Sequence, residues 1–255
     1  MTDRRDFLKA TGAAAVGLAI ASRPARAHAA PAHEHLDRFR SGASKELLLD
    51  AINAAKMAGA SYADCRIARF QQNFVVTREQ QIINVVDTDT LGAGVRALVD
   101  GCWGFAATRT LTRDGVTSAA REAVAIAKAN RVARDRAVTL APTPAYPNAT
   151  WKSPYTTDPF EVPLEQKVDL LLKANAEAMK VPGVKFVNSV LFFVKQERQF
   201  ASTEGSVIDQ TLIRSWPLFT ATAVAPDFSD FQSRAANEVA PMGRGFEYVL
   251  QADLA

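Results

Sequence analysis

The sequence predicts an α+β fold: a mostly antiparallel sheet with helices packed on one face. Three observations lead there. Two amphipathic helical patterns are separated by long β-rich stretches. The tight dipeptide Asp100-Gly101 sits between two apolar runs, the composition a hairpin requires. The order helix, strands, helix, connector, helix, strands leaves no regular βαβ alternation.

Taken in order, Ser44 is placed to cap a helix over Lys45–Ala58, with Leu48, Ile52 and Ala55 on one face and Gly59 as its stop. From Tyr62 the β-formers Ile67, Phe70, Phe74-Val75-Val76 and Ile82-Ile83 alternate with polar residues, as in strands exposed on one face. Asp87-Thr88-Asp89 reads as a solvated turn at a strand end, against the alternatives that it holds a cation or that carboxylates such as Asp87 and Asp89 serve an unrelated exported enzyme. Thr112 or Asp114 opens a helix to about Asn130, with Val116, Ala120, Ala123, Val124 and Ala127 as its buried stripe. Five prolines between Ala141 and Pro159 then make an extended connector. Pro163 suits the start of a helix running to Lys180, with Leu164, Val168, Leu171 and Leu172 inward and Pro182-Gly183 as its stop. Val184–Ala201 and Ser206–Ala225 read as strands joined by a turn at Thr203-Glu204-Gly205. The expected divisions are therefore 1–27, a leader; 28–43, a flexible linker; 44–140, a first subdomain; 141–159, the connector; and 160–255, a second subdomain.

The leader has a charged head, an apolar stretch Ala10–Ala21, and a small-x-small cleavage site at Ala25-Arg26-Ala27. At about 1.5 Å per residue that stretch reaches roughly 18 Å, short of a hydrocarbon core of about 30 Å. It reads as a signal peptide, and no membrane span is expected after cleavage. Cleavage follows Ala27, with Ala29 or Ala30 as alternatives. Arg4-Arg5-x-Phe7-Leu8-Lys9 resembles the twin-arginine export motif, against the competing reading of a basic Sec signal. That resemblance implies a bacterial protein exported folded through the twin-arginine translocase to the periplasm. The chain has 255 residues, 30 of them Lys or Arg and 27 Asp or Glu; outside the leader the two signs balance. No basic field for nucleic acid is left.

Candidate chemistry is sparse. The three histidines His28, His33 and His35 all lie around or just after the cleavage site, so the body offers no His-dependent triad. His33-Glu34-His35 has two potential ligands on a flexible leader, a poor fit to a rigid zinc site. Gly92-x-Gly94 is followed by a strand rather than the helix that a dinucleotide loop needs, which points to a bulge or close strand contact. Gly243-x-Gly245 has Tyr248 where a third glycine belongs. Cys65 and Cys102 could pair in an oxidising periplasm, although folding in a reducing cytoplasm favours two buried thiols. Trp103 and Phe105 could line a peptide groove or pack in the core. No catalytic, cofactor-binding or metal residue emerges from the motifs.

Three stretches carry a resemblance. They are Gly59-Ala60-Ser61-Tyr62-Ala63-Asp64-Cys65-Arg66; Leu91-Gly92-Ala93-Gly94-Val95-Arg96-Ala97-Leu98-Val99-Asp100-Gly101-Cys102-Trp103-Gly104-Phe105-Ala106; and Ser202-Thr203-Glu204-Gly205-Ser206. With Gly243-Arg244-Gly245-Phe246-Glu247, their order resembles the amino-terminal half of TldD/PmbA proteins over roughly residues 45–255. The resemblance implies the amino-terminal part of a larger TldD/PmbA-like fold. It also implies a zinc-dependent metallopeptidase acting on unfolded or modified peptides, as a homo- or heterodimer with a TldD/PmbA-type subunit. The family's metal ligands, a His-Glu-x-x-x-His helix and a later cysteine, match no position here. A truncated member is one expectation, with Phe246, Tyr248, Val249 and Leu250 left uncovered; a complete, non-catalytic peptide-binding or dimerisation module is the other.

Overall fold

The computed structural model describes residues 39, 42, 44–133, 135–236 and 239–252. The leader motif Arg4, Arg5, Phe7, Leu8 and Lys9, the cleavage residues Ala25 and Ala27, and the three histidines lie outside them. In chain order the elements are α1 (Lys45–Met57), β1 (Tyr62–Arg78), β2 (Gln81–Val99), β3 (Cys102–Thr108), α2 (Arg113–Ala129), β4 (Ala149–Lys152), α3 (Leu164–Met179), β5 (Val184–Ser202), β6 (Val207–Val224), β7 (Phe231–Ala235) and α4 (Phe246–Gln251). They form one seven-stranded sheet of order β3-β2-β1-β5-β6-β4, with β7 also on β6. Every pairing is antiparallel except β4 with β6. The α+β class is as the patterning indicated.

Strand length organises the rest. β1, β2, β5 and β6 run 17, 19, 19 and 18 residues. At about 3.3 Å per residue each reaches roughly 60 Å, too long for one helix pair to cover. The helix-bearing face accordingly holds two separate apolar clusters. At one end α1 and α2 pack Leu48, Ala51, Ile52, Val116, Ala120 and Val124 onto Cys65, Ile67, Val95 and Ala97. At the other end α3 and α4 bring Val168, Leu171, Phe246 and Val249 to Val75, Leu191 and Phe193. Odd-numbered residues of β1 line this face throughout, the two-residue period of a strand.

Local chemistry explains the element ends. Asp100 and Gly101 both take positive φ, +48° and +75°, which a type I′ turn requires. Thr112 caps α2, its hydroxyl accepting from the Gly115 N–H at 3.2 Å. Gly59 stops α1 with φ of +103°.

Several expectations need correction. Ser44 stands at the N-cap position of α1 without a side-chain cap; its hydroxyl instead donates to Gln199 Oε1. Phe39, within the expected linker 28–43, is 4% exposed and joins the first cluster. Asp87-Thr88-Asp89 is not a turn but the interior of β2, paired with Gln71, Gln72 and Asn73. The proline-rich connector contains β4, because Pro147 and Pro154 flank rather than interrupt Ala149–Lys152. Leu164 is 40% exposed, while Lys167 and Asn175 take places in the buried stripe of α3. Phe246 and Val249 are covered, each 1% exposed, because α4 folds back onto the second cluster; Leu250 stays 56% exposed. No described helix is long and apolar enough to cross a membrane.

Candidate functional site

Between the two apolar clusters the helix-bearing face is polar. Arg69, on β1, is almost buried; its guanidinium grips Asp89 of β2 through Nε and Nη2, with a closest approach of 2.6 Å. Its Nη1 reaches Glu197 of β5 at 3.1 Å. One arginine thus ties three neighbouring strands, and its hydrogen bonds to Asp89 raise its pKa. Further along, Lys167 of α3 donates to Asn73 Oδ1 at 2.9 Å and sits 5.2 Å from the centre of the Phe193 ring. Burial pulls its pKa below the ordinary lysine value, opposed by the charges of Asp87 and Asp158. Lys195 donates to Asp158. These groups are engaged with one another, and among the described residues none of them forms a nucleophile–base pair.

On the opposite face Asp64 is 1% exposed and receives Arg96 Nη2 at 2.6 Å and the Tyr62 hydroxyl at 3.1 Å. Burial, and then the Asp64 charge, push the Tyr62 hydroxyl up to about 12. Cys65 and Cys102 are buried and free. Burial, with Asp64 adding to it, pushes the Cys65 thiol up to about 12, so it is no thiolate near neutrality. Among the described residues no group of three or more His, Cys, Asp or Glu could hold a metal ion. Asp87 and Asp89 diverge in role: Asp89 serves Arg69, and Asp87 acts on Lys167 at longer range. Gly92 and Gly94 are places of close strand contact, where an added Cβ would lie 3.2 Å from Thr108 O and 3.0 Å from the Phe105 ring.

One of several concave features among the described residues lies at the β3 edge. A recess of about 330 Å³ is lined by Arg96, Trp103, Gly104, Phe105, Ile126 and Asn130. Trp103 packs edge-on against Tyr62 at 5.8 Å, with the Arg96 guanidinium 5.3 Å from its ring centre. Phe105 is 58% exposed. Asn130 Nδ2 donates to the Trp103 carbonyl at 2.9 Å, so that carbonyl points away from β2. Alternate residues of a strand turn their main-chain groups to the same edge, which places those of Phe105 and Ala107 on the open side. The recess joins an aromatic wall to a strand edge. Trp103 and Phe105 thus lie beside a strand edge rather than in the core.

Residues 63–127 match "PmbA/TldA metallopeptidase domain 1" and residues 157–254 match the "PmbA/TldA metallopeptidase central domain". Together these stretches cover more than half of the chain. The chain belongs to the PmbA/TldD family. The fold agrees. A protein from Thermotoga maritima described as a candidate modulator of a DNA gyrase superposes with a TM-score of 0.59 at 14% identity, over 75% of this chain and 42% of that one. A candidate modulator of DNA gyrase from Bacteroides thetaiotaomicron gives 0.55 at 14% identity, over 82% and 49%. TldE from Thermococcus kodakarensis gives 0.53 at 14% identity, over 74% and 42%. This PmbA/TldD chain thus spans less than half the length of the structures it resembles. No curated protein matches it.

Proposed function

We propose that this chain is the peptide-handling part of an exported TldD/PmbA-like metallopeptidase acting on unfolded or modified peptides. The observation that carries the proposal is the successive match to the first and central domains of that metallopeptidase family. The β3 recess supports it, because main-chain pairing at an edge holds a peptide without regard to its sequence. The second reading, a non-catalytic peptide-binding or dimerisation module, draws on the same edge and on the engaged state of the described polar groups.

Zinc is the metal the family implies. The described residues do not fit it: the two thiols are buried apart from any carboxylate–histidine set, and no ligand cluster forms. Its ligands would have to be residues other than those described. What these residues do is bind and orient. The edge amides of Phe105 and Ala107 would fix an extended backbone, and Trp103 and Phe105 would cover its apolar side chains. A TldD/PmbA-type subunit is the proposed partner.

Phe105→Pro tests the groove. The substituted amide faces outward, so the ladder to β2 stays intact and the melting temperature should hold. Affinity for a fluorescein-labelled, unstructured peptide with alternating apolar residues should fall about tenfold, read by anisotropy. Unchanged binding in a folded variant would overturn the assignment. Export is tested separately. Replacing Arg4 and Arg5 together by lysine should leave the protein in the cytoplasmic fraction of a bacterial host; a periplasmic pool equal to the parent's would contradict the twin-arginine route.

A further inference from the structure

The face of the sheet away from the helices carries an imbalance of charge. Even-numbered residues of β1 line it, and the register sets Arg66 opposite Phe200 and Ala68 opposite Arg198 of β5. Arg66 and Arg198 are therefore diagonal neighbours on one face, about 7–8 Å apart at Cα. On the far side of β5, Arg214 of β6 stands opposite Val194, again on this face. Arg198 leans along β5 toward it, its Nη2 donating to Gln196 Oε1. Burial, and then the charges of Arg66 and Arg214, hold the Arg198 pKa below the ordinary arginine value.

The acids nearby are engaged elsewhere. Asp64 lies 3.8 Å from Arg66 Nε, but it is 1% exposed and already holds Arg96 at 2.6 Å. Glu197 and Asp209 turn to the helix-bearing face, where they take Arg69 and Lys45. Among the described residues no carboxylate lies within ion-pair distance of Arg198 or Arg214. Like charges left facing one another cost stability, and an anion that enters among them restores it.

We propose that Arg66, Arg198 and Arg214 form an oxyanion site that takes the carboxylates of an acidic peptide lying across this face. Guanidinium forks match the planar carboxylate, two N–H groups to two oxygens. Phe70, Phe200 and Leu212 lie half-buried on the same face, with the Arg66 guanidinium 5.5 Å from the centre of the Phe200 ring. They would cover the apolar groups that flank a carboxylate in a peptide; inorganic phosphate brings no such groups. The site deepens the peptide-handling reading and rests on it for the class of ligand. It uses no residue of the β3 edge.

Two fluorescein-labelled, unstructured peptides of alternating apolar residues test it, one with glutamate at its polar positions and one with glutamine. The glutamate peptide should bind the full chain about tenfold more tightly at low salt, read by anisotropy. Salt at about 1 M should erase that difference, because the screening length falls to about 3 Å. Arg198→Gln combined with Arg214→Gln should abolish the preference and leave affinity for the glutamine peptide unchanged. These changes relieve repulsion, so the melting temperature should hold or rise, as it would not if the arginines were structural. Phe105→Pro should instead weaken both peptides alike. Equal affinities in the parent, or a preference that survives in the folded double variant, overturn the site and leave the β3 edge untouched. Failure of both peptides to bind the parent overturns peptide handling and this site with it. Inorganic phosphate separates the sources. If phosphate raises the melting temperature of the parent but not of the double variant, and glutamate confers no preference, the site belongs to phosphate and the acidic peptide is ruled out.

Discussion

Gly104→Ala is expected to cost the protein about 3 kcal/mol or more, the upper range of overpacking. The strand carries Gly104 directly beneath α2. A Cβ there would lie 2.0 Å from Ala123 O and 2.5 Å from Ala127 N. Both are main-chain atoms of a helix, so no rotamer change can relieve the contact. Either α2 lifts from the sheet and exposes Val116, Ala120 and Val124, or β3 leaves β2. Gly94 is the control, because its Cβ would meet only the Phe105 ring, at 3.0 Å. That ring is 58% exposed and free to swing, so Gly94→Ala should cost under about 1 kcal/mol. Urea titration of the three proteins decides the matter. Equal midpoints for both variants would mean that α2 does not rest on β3 as described.

Phe246→Ala should cost about 3–5 kcal/mol, as for other buried aromatics cut to alanine. Phe246 is 1% exposed, with its ring 6.0 Å from that of Phe193 in the second cluster. The short helix α4 has little stability of its own and depends on this anchor. A further tether is Glu247, which accepts from the N–H groups of Thr157 at 3.0 Å and Gly245 at 2.9 Å. Burial raises the Glu247 pKa, but the main-chain donors outweigh it and leave the carboxyl below its ordinary 4.5. A depressed carboxyl contributes stability above its unfolded pKa and loses it as pH falls through the folded one. Acid should therefore loosen what Phe246→Ala has already weakened, and the variant's deficit should persist at neutral pH. Leu250→Ala, altering a side chain 56% exposed, should shift stability by less than about 0.5 kcal/mol.

The features legible in the sequence were those set by neighbouring residues. Asp100-Gly101 can be read because few residues accept two consecutive positive φ values. Thr112 can be read because its cap needs only Gly115, three residues on. The polar junction could not. Arg69 and Glu197 meet 128 residues apart in sequence, and nothing local to either marks the encounter. Asp87-Thr88-Asp89 looked like a turn because two carboxylates in three residues disfavour a strand; the strand holds because Arg69 takes Asp89 and β1 supplies the ladder. Lys167 left a fainter trace, a lysine on the same helical face as Val168 and Leu171. Phe246 was misread because its cover comes from Phe193 and α3, remote in sequence. The candidate groove was half visible: Trp103 and Phe105 stood out as aromatics beside a turn, while the open amides and the Asn130 contact required the sheet.

The central pairing of that sheet has a consequence in time. β1 meets β5 along its whole length, and Thr77 bonds Ser189 across 112 residues of intervening chain. Neither long hairpin can bury its inner flank until the other exists. Loop closure over such spans is entropically costly and slows folding. On a ribosome, β1 and β2 emerge well before the strand that completes them, with Ile82, Ile83 and Val85 already exposed. This chain should fold late and as a whole, and its nascent form is the state most in need of a chaperone.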